Sequence, residues 1–138
     1  MSDILDKYRK AQTDQHPKVQ VQEGKPYQAF EVAAHPQRRL DLRPGYDAQR
    51  IVPYSYITEI FYAGDFMIDL LFHGYPMHVV IRGKNLGELI TLLREERAIS
   101  ISEFIPEWHQ NPDSDKPIVE TLTITKPERE VTEKPVKH

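Results

Sequence analysis

Cysteine is absent from this chain. That absence excludes disulfides, thiolate nucleophiles and cysteine-ligated zinc together, and it fits a reducing compartment. Glycine is scarce. The six glycines are scattered, with no glycine-rich phosphate loop and no Gly-x-Ser-x-Gly elbow around any serine. No stretch reaches the roughly 18 consecutive apolar residues that a membrane-spanning helix needs. The N-terminal MSDILDKYRK lacks the apolar run of a secretory signal. Positive charge is not in surplus either: 18 Lys and Arg against 21 Asp and Glu leave a formal net charge of −3. No global field therefore draws the chain to nucleic acid or anionic lipid. These absences leave a soluble cytoplasmic protein, without a membrane partner or a cofactor, as the expectation.

What is present suggests a compact core with solvated ends: 39% hydrophobic and 28% charged residues over 138 positions. Residues 1–25 are expected to form an N-terminal helix and linker. Ser2 or Asp3 caps a helix running to about Thr13, with Ile4, Leu5 and Tyr8 on one side. Residues 26–126 are expected to form a single domain, and residues 127–138 a disordered charged tail.

Within the domain the apolar residues keep strand period. Tyr27 to Ala34 reads as an edge strand between prolines. RRLDLR (38–43) alternates, PGYD (44–47) is a turn, and AQRIVPY returns with Pro53 forcing a bend or an edge. YITEIFYA, FMIDLLF and MHVVIRG follow as three strands, joined by turns at Gly64-Asp65 and Gly74-Tyr75. The period then changes. NLGELITLLREER carries Leu86, Leu89, Ile90 and Leu93 on one stripe, which predicts an amphipathic helix over 85–97 capped by Asn85 with Glu88 three residues on. AISISEFI and IVETLTIT read as further strands. The fold class expected is α+β: an antiparallel meander of about five to seven strands packed on one helix. The piece from Arg50 to Arg94, through its hydrophobic rhythm and the IVPYSYI bend, resembles the strand–strand–helix ending of pleckstrin-homology-like domains. That resemblance implies a PH-like or half-barrel arrangement.

FMIDLLFHGYPMHVVIRG (66–83) is the most apolar stretch, yet it carries Asp69, His73, His78 and Arg82. With two-residue turns at both ends, Asp69 lies opposite Ile60 and Val80, and it has His78 and Arg82 as diagonal neighbours within side-chain reach. One face collects Phe66, Ile68, Leu70, Phe72, Met77, Val79 and Ile81, and the helix covers it. The other collects Ile60, Tyr62, Met67, Leu71 and Val80, an apolar patch too large to leave in water, which the N-terminal segment, the IVETLTIT strand or a second copy of the chain must cover. Glu59 conflicts with this register: it lands on the apolar face, which points to a longer turn at Gly64 or a place at the sheet margin.

Asp69, His73 and His78 are the candidate metal ligands, although their spacing matches no strong motif. Arg38, Arg39 and Arg50 with nearby tyrosines are the candidate nucleic-acid edge. Tyr54 and Tyr56 in PYSY, with the Ile60 face, are the candidate protein-contact residues. The expectation is a non-catalytic domain acting through protein–protein contacts, as a homodimer above all. The alternatives are a nucleic-acid-binding accessory protein and, third, a small-ligand binder or enzyme.

Overall fold

The computed structural model describes residues 24–74 and 76–126. The expected N-terminal helix and the tail from 127 lie outside the described residues. Among the described residues, eight strands and one helix follow in the order β1 (Phe30–Val32), β2 (Arg39–Arg43), β3 (Arg50–Pro53), β4 (Ile57–Ala63), β5 (Met67–Phe72), β6 (His78–Lys84), α1 (Gly87–Arg94), β7 (Ala98–Ser102) and β8 (Ile118–Thr125). They form two four-stranded sheets, ordered β1-β7-β2-β3 and β4-β5-β6-β8. The fold is α+β and not a closed barrel.

The local reasons follow from residue type. In β2 the alternation of RLDLR buries Leu40 and Leu42 fully and turns Arg39, Asp41 and Arg43 away from the core. Pro53 ends β3, and a single tight turn at Tyr54–Tyr56 redirects the chain into β4. In β6, Val79 and Ile81 point inward and His78, Val80 and Arg82 outward. One continuous core joins both sheets and the helix, with Leu40 and Leu42, Ile68, Leu70, Val79 and Ile81, and Leu86, Leu89 and Leu93 at its centre. The expected packing of Leu89 and Leu93 with Ile68, Leu70 and Val79 is present in that cluster.

Three expectations need correction. The strands do not form one antiparallel meander of five to seven members, because β7, reached after the helix, inserts between β1 and β2 and runs parallel to β2. Alternation reveals a strand but not its partner. The helix is shorter than 85–97. Asn85 does not cap it: Asn85 sits at φ +59° and its Nδ2 donates to the carbonyls of Ser114 and Lys116, at 3.1 and 2.9 Å, tethering the 114–116 loop. Leu86 takes the capping position without a side-chain bond. The turn at Gly64 holds three residues, not two, since Ala63 pairs with Met67.

Tyr27 ties the two sheets together. Its hydroxyl donates to the Ser102 carbonyl at the end of β7 (2.6 Å) and accepts from Val119 N–H in β8 (2.9 Å). Beside it Phe104 N–H donates to the Val119 carbonyl at 2.8 Å. Burial pushes the Tyr27 hydroxyl well above its ordinary pKa, against the opposing pull of the Val119 hydrogen bond.

Candidate interaction surface

The two turns of the β4–β5–β6 hairpins decide which side chains share a face. Between β5 and β6 the register matches the sequence expectation: Asp69 opposes Val80 and Leu71 opposes His78. The diagonal contacts follow. Asp69 Oδ1 accepts from Arg82 Nη1 at 3.0 Å, and Asp69 Oδ2 stands 3.4 Å from His78 Nε2. A half-exposed pair of this kind contributes about 0–1 kcal/mol. It also leaves the carboxylate neutralised within its own surface.

Between β4 and β5 the register differs by one from the two-residue-turn expectation. The three-residue turn places Phe61, not Ile60, opposite Asp69, and Ile60 and Tyr62 oppose the buried Leu70 and Ile68. A bulge near Thr58, where the pairing steps from Ile57 to Glu59, absorbs one extra residue of β4. The longer turn, and not the bulge, sets Glu59 opposite Leu71 on the outer face, resolving the conflict its charge created. The expected patch divides accordingly. Met67, Leu71 and Val80 lie on the outer face, joined by Phe61, which the sequence argument missed. Ile60 and Tyr62 lie on the inner side at the sheet margin, packed toward the helix.

Strand β4 is the outermost strand of its sheet. Five of its seven residues are apolar or aromatic, yet none is fully buried. Phe61 remains 46% exposed and Tyr62 51%. Beside β4 runs a groove of about 310 Å³ lined by Ile57, Ile60 and Tyr62 on the strand and Ile90, Leu93 and Arg94 on the helix. The helix runs antiparallel to β4. Leu86 N–H at its start donates to the Asp65 carbonyl just past the end of β4 (2.8 Å), while Glu96 past its end lines the same groove as Tyr54 just before β4.

The remaining candidates separate. Tyr54 is not a surface residue. It is 4% exposed and its hydroxyl donates to the Ala98 carbonyl at 2.6 Å, because the turn after Pro53 folds it into the core. Burial pushes its pKa well above the ordinary range. Tyr56 is exposed, and its carbonyl accepts from His73 N–H at 2.8 Å. His73 does not join Asp69 and His78: among the described residues, no three His, Cys, Asp or Glu side chains stand close enough to hold a metal. Arg38 and Arg39 are exposed and Arg50 is half-buried. They do not share one face: Arg50 lies opposite the buried Leu42, while Arg39 lies on the face of Asp41, which pairs with Arg43 at 2.8 Å. A larger cleft of about 530 Å³ lies between β1, Glu88 and the 110–117 loop, walled by Pro26, Phe30, Pro112 and Pro117. Its one phenol, that of Tyr27, is already engaged at both ends. Among the described residues no helix is long and apolar enough to cross a membrane. No protein-family description, curated protein or solved structure matches the chain.

Proposed function

We propose that this chain is a non-catalytic cytoplasmic domain acting through protein–protein contacts, and that its partner includes a second copy of itself. The observation that carries this reading is β4: seven residues, mostly apolar, at the edge of a sheet, with none fully buried. Phe61 continues on the outer face into Met67, Leu71 and Val80, which gives a contiguous apolar surface around the neutralised Asp69. Removing such area from water yields about 25 cal/mol per Å², and two-fold self-pairing is the commonest way a folded chain covers a patch of its own. Light scattering on the full chain and on Phe61→Lys tests it. Phe61 is 46% exposed, so the substitution spares the core. A concentration-dependent mass that falls to the monomer in Phe61→Lys supports the reading, and identical monomeric mass for both overturns it.

The pleckstrin-homology-like or half-barrel comparison stays a proposal about architecture. The β5–β6–α1 order supports it, while the return of the chain through β7 into the first sheet lies beyond that pattern.

A further inference from the structure

Four strands lie at sheet edges, and three of them are guarded. β1 has three residues and a bulge, and β3 has four residues and ends in Pro53. The first half of β8 is bulged at Glu120 and held by Phe104 N–H and the Tyr27 hydroxyl. Short strands, bulges and prolines are the devices that stop an edge from pairing with another chain. β4 is different. It has seven residues with no proline or lysine, and past the bulge at Thr58 its register is regular from Glu59 to Ala63.

We propose that β4 pairs antiparallel with β4 of a second copy across a two-fold axis at Phe61, so that the two β4-β5-β6-β8 sheets become one continuous sheet. This deepens the self-association proposed above and rests on it. The centre at Phe61 follows from the sequence of the strand. It sets Phe61 against its twin on the outer face and Ile60 against Tyr62 on the inner face, and both are cross-strand pairs of the favourable kind. It sets Glu59 against Ala63, so that no like charges meet. The same register brings Ile57 opposite Asp65 of the second copy.

That last pairing supplies the charge complementarity. The end of the helix stands at the Ile57 end of β4, and Arg94 there is exposed and lines the groove. Asp65, at the other end of β4, is also exposed. An antiparallel two-fold brings each Arg94 to the Asp65 end of the opposite copy, twice by symmetry. The half-exposed Phe61 and Tyr62, each with about 150–250 Å² of side-chain surface, give only a fraction of the roughly 800 Å² per partner that a stable interface buries. The strand backbone, the groove and the Arg94–Asp65 contacts make up the rest.

Hydrogen–deuterium exchange on the full chain, at concentrations where it is mainly monomer and mainly dimer, reads the edge directly. Edge pairing slows the β4 amides about tenfold or more on association, while packing through the outer face leaves them unchanged. Charge reversal gives a second readout. Arg94→Asp and Asp65→Arg each weaken association, and the double variant restores it. Phe61→Lys weakens it further, and should that variant not fold, the exchange and the charge swap still decide. A chain monomeric throughout overturns both the self-association and this geometry. A dimer with unprotected β4 amides and no rescue in the double variant overturns the geometry alone.

Discussion

At the residue scale, Tyr27 does more for the fold than its place outside every strand suggests. One hydroxyl satisfies a carbonyl in the first sheet and an N–H in the second, while its ring meets Phe104 and His109 edge-on at 5.1 Å each. Tyr27→Phe keeps the ring and removes both bonds, leaving the Val119 N–H unsatisfied inside the core. Equilibrium denaturation should show a loss of about 1–3 kcal/mol. Alkaline pH provides a second check. Burial first of all holds the Tyr27 and Tyr54 hydroxyls above their ordinary pKa, so the folded state keeps protons that the unfolded chain releases near pH 10. Their contribution is whole below that pH and is lost as pH rises through and beyond it, at up to about 1.4 kcal/mol per pH unit for each group. The alkaline slope of stability in Tyr27→Phe should be shallower than in the native chain, and an equal slope would remove Tyr27 from this role. Nothing local in the sequence marked this residue, because both of its partners lie more than 70 positions away.

At the element scale, the end of the helix shows a cost that the chain carries. Glu96 adopts φ +63°, its N–H donates to the Leu93 carbonyl at 3.1 Å, and Arg97 N–H donates to the Leu92 carbonyl at 2.8 Å. These are the paired bonds of a helix end that glycine normally closes. The left-handed conformation costs a non-glycine residue about 1–2 kcal/mol, and glycine returns about 0.5–1 kcal/mol of that as lost chain entropy. Glu96→Gly should therefore raise the melting temperature, and a fall would show that the Glu96 side chain stabilises the fold in some other way. Gly83 works in the opposite sense. A Cβ there would overlap the Ile118 carbonyl oxygen where β6 and β8 approach closely at a bulge. Gly83→Ala should cost at least about 1–3 kcal/mol, as overpacked sites do, measured as a shift in denaturation midpoint. The elements themselves were largely legible. RLDLR, MHVVIRG and IVETLTIT each became a strand, and the stripe of Leu86, Leu89, Ile90 and Leu93 became the buried side of the helix. The register of β4 was legible only in part. The misplaced Glu59 was the sign that its hairpin turn is longer, and moving the strand by one residue places Glu59 outside and Ile60 inside.

At the scale of the whole molecule, what the sequence did not disclose is which strands meet. β7 lies between β1 and β2, more than 50 residues from either in sequence, and its alternating AISIS would serve any sheet with one buried face. The candidate surface was legible in composition: the second sheet has more apolar residues than one helix can cover. Its membership was not, because a one-residue register change exchanged Phe61 for Ile60 and Tyr62, and the turn after Pro53 drew Tyr54 inside. We propose that this surface, with β4 at its edge, is completed by a second copy of the chain. Sedimentation velocity of the full chain from low to high micromolar concentration tests it most directly. A weight-average mass rising toward twice that of the chain, and returning to the monomer in Phe61→Lys, is the predicted result, and a native chain that sediments as a monomer over the whole range would contradict it.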